Sequence, residues 1–270
     1  MKHTLIKKIL MCKPTYFDQL NYVINPWMTP GTINEKKAMQ EWEKLVDIYR
    51  ELGAEVEIIE QHKDSPDMVF ATDQGIVRNK TVLLSRFWTN ERKKESTYYE
   101  TWFQNQGYDI LYLPENVYFE GNGDSFFWNN KLLVGIGYRA NKQTCDAVGK
   151  LLDIEVIPLE IIDPKFYHLD VGFFPLNKDT AFYYPPAFSQ KSRGVLKKLV
   201  PNLIELTEEE VNGFCANSVV TDHHVIHQKG NPTFTETLKQ LGYKSIEVDV
   251  SEFMKSGGGI HCLTNILLTK

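Results

Sequence analysis

No run in this 270-residue chain approaches eighteen apolar residues, so no membrane-spanning helix is expected. Basic residues form no sustained block, and the formal net charge of −5 argues against a nucleic-acid backbone as partner, which needs a clustered positive face. The four cysteines, Cys12, Cys145, Cys215 and Cys262, show no C-x-x-C spacing and no dense framework, which suits thiols in a reducing cytoplasm. There is no low-complexity tract and no long linker, so residues 1–270 are read as one domain. The opening MKHTLIKKILMCKP has lysines inside its apolar stretch and no seven-residue apolar core with a cleavage site, and it is expected to be a first β-strand.

What the chain does have is repetition. Hydrophobic residues make up 42 % of it, enough for a full core. Five short β-prone runs, GAEVEIIE, GYDILYLPE, DIEVIPLE, NLIELTEE and GYKSIEVDV, are each followed by a second apolar run with a polar residue at its centre. Those centres are Asp73, Glu120, His168 with Asp170, Asn217 and Cys262, and successive centres lie 47, 48, 49 and 45 residues apart. A period near 47 means one supersecondary unit used repeatedly, as in a propeller, a solenoid or an array. Each unit also carries an amphipathic stretch. Residues 34–52 place Met39, Trp42, Leu45, Ile48 and Tyr49 at helical spacing, with Gly53 as a stop. Third runs such as KTVLLSRFW, KLLVGIGYR, TAFYYPP and HHVIHQ complete a helix, strand, loop, strand, strand order. If the units close around an axis, the five centres converge there.

The centres carry chemistry. Cys262 follows Gly257-Gly258-Gly259, a run that lets backbone approach a ligand closely, against the bland alternative of a buried structural thiol. His168 and Asp170 alternate with Leu169, so on a strand both side chains share one face. Glu120, flanked by glycine, is a carboxylate able to fix the tautomer of a nearby histidine and raise its pKa. Asp73 sits in an apolar run where an unpaired carboxylate is costly, and a cationic ligand would remove that cost. Two carboxylates suit a guanidinium, which meets them through paired, charge-assisted hydrogen bonds. A thiolate beside a histidine supplies a nucleophile and a proton carrier.

Together, Asp73 in FATDQG, Glu120 in FEGNGD, His168 and Asp170 in FYHLD and Cys262 in GGGIHCLTN resemble the guanidino-group-modifying superfamily of arginine deiminases, dimethylarginine dimethylaminohydrolases and amidinotransferases. The resemblance runs from VINPWM to NILLTK and implies an α/β fold, a five-bladed β/α propeller with pseudo-fivefold symmetry. It also implies roles: Cys262 as nucleophile, His168 as general acid and base, Glu120 as its orienter, and Asp73 and Asp170 as the guanidinium clamps. For the substrate carboxylate it implies Arg139 in GIGYRANKQ and Arg92 in SRFWTNER, with Arg86 the weaker choice. No metal or other cofactor is implied, and family members are often dimers. Dimethylarginine hydrolases usually lack the second aspartate of HLD, which favours an arginine deiminase. The chain looks most like compact arginine dihydrolase domains, but these read TANAG where it has ATDQG. Aspartate in place of that asparagine is the deiminase pattern, so hydrolysis is expected to stop at citrulline.

The competing readings are an arginine dihydrolase, a dimethylarginine hydrolase, an amidinotransferase and a non-catalytic arginine-binding propeller. A zinc hydrolase built on His223, His224 and His227 fails on spacing, because His223 and His227 on a strand stand about 13 Å apart. A solvated strand end is expected there. His261, adjacent to Cys262, is read as pointing away from the thiol, and Asn217 as a residue that only contacts the site.

Overall fold

The computed structural model describes residues 4–270. Strand β1 (Ile6–Lys13) leads to helix α1 (Glu35–Glu51) and strand β2 (Glu55–Glu60). Next come β3 (Gly75–Arg78), β4 (Thr81–Leu84), α2 (Glu95–Asn105) and β5 (Asp109–Leu111). The same order recurs in β6 (Ser125–Trp128), β7 (Lys131–Ile136), α3 (Lys142–Leu152) and β8 (Glu155–Glu160). After a one-turn helix α4 (Leu169–Gly172) it recurs in β9 (Phe173–Pro175), β10 (Thr180–Tyr183), α5 (Gln190–Leu199) and β11 (Asn202–Glu205). Helix α6 (Glu208–Asn212) precedes β12 (Val219–Thr221), β13 (His224–Gln228), α7 (Pro232–Gln240) and β14 (Lys244–Val248), and α8 (Ser251–Met254) precedes β15 (Asn265–Thr269).

The strands form five three-stranded sheets of one topology. In each, the middle strand pairs antiparallel with one neighbour and parallel with the strand reached through the long helix. A parallel pair needs such a crossover, and the amphipathic helix supplies it. Four sheets are built from consecutive strands, whereas the remaining one joins β15 to β1. The repeat expected from the sequence is thus present in every unit.

Burial follows the same rule in each sheet. Middle strands such as β10 and β13 are nearly all buried, while the outer parallel strand is half exposed and acidic, as in EVEIIE of β2 and EVIPLE of β8. Charged residues on an exposed edge discourage further strand pairing.

The residues group into two compact units, 72–207 and the two terminal portions 4–71 with 208–270. The terminal unit has a core of Ile9, Met11, Trp42, Leu45, Tyr49 and Phe253, into which Cys262 is also packed. In the other, Ile76, Leu83, Leu132, Val134 and Val148 pack together.

Candidate active site

All five sequence centres lie on turns that feed the first strand of a sheet, not within the strands. Asp73 is in a 3-10 turn (Ala71–Gln74) before β3, Glu120 precedes β6, His168 precedes α4 and β9, Asn217 precedes β12 and Cys262 precedes β15. The shared strand face expected for His168 and Asp170 is therefore corrected. His168 has extended backbone at the N-cap of α4, and Asp170 lies in that helix's first turn. A helix of one turn leaves no 3.6-residue period to read, so H-L-D looks like strand alternation.

Within the 72–207 unit the predicted residues Asp73, Arg92, Glu120, Arg139 and His168 meet in one buried network. His168 Nε2 stands 2.8 Å from Glu120 Oε2, so Nε2 carries the proton that the carboxylate accepts. Glu120 Oε1 also accepts from the Trp88 backbone N–H at 3.2 Å, and Arg139 Nη1 approaches both its oxygens at 3.5 Å. The Arg139 guanidinium lies over the Tyr167 ring, 4.9 Å from its centroid. Arg92 donates from Nη1 to Asp73 Oδ2 at 2.7 Å, and from Nε and Nη2 to Glu95 at 3.0 and 2.8 Å. Gln74 donates to the same Glu95 at 2.6 Å. Asp170 joins through its backbone, whose N–H donates to Gly123 O at 3.2 Å.

Among the buried atoms of this cluster without a hydrogen-bond partner are Asp73 Oδ1 and His168 Nδ1, 3.6 Å apart. Gly123 makes their approach possible. A Cβ there would fall 2.3 Å from Asp73 Oδ1 and 2.8 Å from His168 Nδ1, so only glycine fits the turn.

Five buried carboxylates, Asp73, Glu95, Glu120, Asp124 and Asp170, face two guanidiniums and one imidazole. Burial alone would hold His168 neutral, but Asp73, the Glu120 hydrogen bond and Asp124 outweigh it and push its pKa up to about 9. Burial opposes ionisation of Glu120 too, yet the Arg139 charge and the His168 bond hold its pKa well below the usual carboxylate range. Asp73 goes the other way. Burial, with the charge of Asp170, raises its pKa against the pull of His168 and Arg92. Asp124 is pushed up to about 7, mainly by burial and by the nearby Glu120 charge. At neutral pH the site holds an imidazolium and an ionised Glu120, with an excess of acid groups.

In the terminal unit, Cys262 sits on the turn between Gly259 and β15 and is not disulfide-bonded. Asn217 Nδ2 lies 3.1 Å from its sulfur, and Asn217 Oδ1 accepts from the Gly259 and Cys262 backbone N–H groups, each at 3.1 Å. His261 is buried in the same turn and not on a strand, and its N–H donates to Asn217 O.

Asn217 contacts the cysteine turn, as expected from the sequence, whereas Glu95 and Asp124 were passed over. Glu95 stands three residues after Arg92 at the start of α2, a spacing that brings side chains together on a helix and could have found the pair. Asp124 accepts the Glu120 N–H at 2.7 Å, a loop contact with no periodic signature. Arg86 is exposed and donates to Leu113 O. The histidine string is divided: His223 is on the turn before β13 and exposed, but His227 is buried instead of solvated. Its Nδ1 donates to Gln228 O, and its Nε2 meets Ser245 Oγ. Among the described residues, no three His, Cys, Asp or Glu side chains are arranged to hold a metal ion. Nor is any described helix long and apolar enough to cross a membrane.

Comparison with known proteins gives consistent results. The profile of the family described as N,N dimethylarginine dimethylhydrolase, eukaryotic, matches residues 11–268. The bifunctional arginine dihydrolase/ornithine cyclodeaminase ArgZ of Synechocystis is 38% identical over 267 residues, 95% of this chain and 37% of the relative. This chain therefore spans well under half of that protein's length. The N(G),N(G)-dimethylarginine dimethylaminohydrolase of Mycobacterium tuberculosis is 32% identical over 96% of this chain and 85% of its own. The crystal structure of the N-terminal domain of ArgZ, a Cys-to-Ser variant of a cyanobacterial arginine dihydrolase bound to substrate, superposes with a TM-score of 0.93 at 36% identity, covering 96% of this chain and 97% of that one.

Proposed function

Since this chain belongs to the N,N-dimethylarginine dimethylhydrolase family, within the guanidino-group-modifying superfamily, we propose that it hydrolyses the guanidinium of free L-arginine to citrulline and ammonia. The observation that carries this reading is the surplus of buried carboxylate around an imidazolium, with Asp73 Oδ1 and His168 Nδ1 unsatisfied 3.6 Å apart. A substrate guanidinium brings a further positive charge and planar N–H donors, for which Asp73 Oδ1 is an open acceptor. In this reading Asp73 and Asp170 hold the guanidinium. The Cys262 thiolate adds to its carbon, and the C–N bond to a terminal nitrogen breaks as His168 passes its proton to the departing ammonia. Water, deprotonated by the now neutral His168, then displaces the thiolate from the amidino carbon and yields citrulline. Glu120 keeps the imidazole oriented through both halves and stabilises its charged form whenever it holds the proton.

Arg139 and Arg92 are the proposed partners of the substrate α-carboxylate. Arg92 can keep Glu95 through Nε and Nη2 while Nη1 passes from Asp73 to the substrate. The single-domain, five-bladed propeller belongs to the same proposal, supported by five three-stranded sheets of one topology. A nucleophilic thiol has to stay reduced, which favours the cytoplasm as the compartment of the reaction. Dimerisation would leave this chemistry within one subunit.

Aspartate at residue 73 supports a reaction that ends at citrulline, and the 38% identity to an arginine dihydrolase favours the second reading, release of ornithine and two ammonia. Incubation with L-arginine, with citrulline, ornithine and ammonia counted, separates them. Citrulline with one ammonia is expected, and ornithine with two would establish the dihydrolase. Product from N-methylated arginine but not from arginine would make the chain a dimethylarginine hydrolase. Cys262→Ser is expected to abolish turnover, and unchanged turnover would remove the covalent mechanism. Arginine binding without any product would leave a non-catalytic module.

A further inference from the structure

We propose that Asn217 is the positioning residue for the Cys262 thiolate: its amide oxygen fixes the turn that carries the cysteine, and its amide N–H is aimed at the sulfur as a stabilising donor. This deepens the proposed function and rests on Cys262 being the nucleophile.

The orientation of the amide follows from its surroundings. Two backbone N–H groups, those of Gly259 and Cys262, converge on one side-chain atom of Asn217 at 3.1 Å each. Both are donors, so that atom must be the oxygen. The NH2 group is thereby turned to Cys262 Sγ, 3.1 Å away. Asn217 is itself held: its N–H donates to Phe214 O at 3.1 Å, and its carbonyl accepts from the His261 N–H at 3.1 Å. Residue 217 is thus tied to the cysteine turn at four points, across 45 residues of sequence. Gly259 is required by the same arrangement, because a Cβ there would lie 2.9 Å from Asn217 Oδ1.

A thiol sulfur is a weak acceptor and a thiolate a strong one, so an N–H donor held against the sulfur favours the ionised form. The need is real here, since Cys262 is almost fully buried among apolar residues, where burial opposes ionisation. Among the titratable groups near this turn are His261 beside it and Tyr49, whose hydroxyl lies 2.8 Å from Thr264 Oγ1. Neither replaces a donor built into the turn.

Two variants separate the oxygen's task from the nitrogen's. Asn217→Asp keeps an acceptor for the Gly259 and Cys262 N–H groups and loses the donor, while Asn217→Ala loses both. The readout is the pH dependence of Cys262 alkylation by iodoacetamide, followed by peptide mass. With the donor gone, the alkylation midpoint is expected to rise by about one to two pH units in either variant, and further for Asp, whose charge repels a thiolate. Turnover of arginine should lose kcat with KM little changed, and raising the pH should restore part of the loss in Asn217→Ala. If Ala prevents folding, the Asp variant decides alone. A midpoint that stays at the wild-type value in a folded variant overturns the proposal and leaves Asn217 as a turn anchor. Alkylation needs no guanidino substrate, so a shifted midpoint in a protein that does not hydrolyse arginine would defeat the proposed function and keep this inference.

Discussion

At the scale of single residues, His168 and Gly123 are where geometry and charge are most tightly bound together. His168 titrates near 6.5 in an unfolded chain and at about 9 in the folded one. Its folded value is the higher, so the stability it contributes is complete below pH 6.5 and is lost as pH rises through 9. Exchanging His168 for Gln removes that contribution. The gap in Tm between wild type and His168→Gln should therefore be widest near pH 6 and close by a few degrees toward pH 10. A gap that grows with pH would mean the imidazole is neutral in the native state. Gly123 tests the geometry without removing a charge. A methyl group in Gly123→Ala must displace Asp73 Oδ1 and His168 Nδ1, and a shift of even 1 Å costs about a hundredfold in rate. Arginine turnover is expected to fall by that factor or more while far-UV circular dichroism stays that of the wild type.

Helices and strands answer to local rules, which is why they were legible. Helix α1 begins where expected because Asn34 Oδ1 accepts the Lys37 N–H at 3.0 Å, and Ala38, Trp42, Leu45 and Tyr49 then line one buried face. Its cap also connects elements, since the Asn34 N–H donates to Glu252 Oε2 on α8 at 2.8 Å. Asn34→Ala removes only the side-chain cap and should cost about 1 kcal/mol, read as a Tm lowered by about 2–4 °C with turnover intact. The five helices and the outer and middle strands of the sheets were readable from period and stop signals. What was not readable is the turn before each first strand, where Asp73, His168 and Cys262 sit on three- or four-residue pieces too short to show a period. Their positions were legible through the 47-residue recurrence, and their local conformation was not. Nor could the sequence reveal that Arg92 spends its donors on Asp73 and Glu95, or that Asn217 grips the cysteine turn, because these are contacts of particular atoms.

For the whole molecule, the recurring unit has a consequence at the chain ends. Four sheets are each closed by neighbouring segments, but the fifth needs β15 from one end and β1 from the other, extended by mutual Leu5 and Lys270 backbone hydrogen bonds at 3.1 and 2.8 Å. Asn265 adds a bond of 2.9 Å from its side chain to Ala71 O. The ends are thus bridged by sheet pairing, which predicts that the chain can be opened at another repeat once they are joined. Joining the ends with a short glycine-serine linker and opening the chain at the exposed hairpin tip between Asn129 and Asn130 preserves every one of the fifteen strand positions. Such a permutant is expected to keep its Tm within a few degrees and to retain turnover, because open hairpin tips tolerate new ends. Deleting residues 265–270 instead strips β1 of its antiparallel partner and exposes Ile9 and Met11 of the core beneath. That truncation should fail to fold. If the permutant fails as well, the hairpin at residues 129–130 is needed for folding in its native order, and the equivalence of the repeats ends at their geometry.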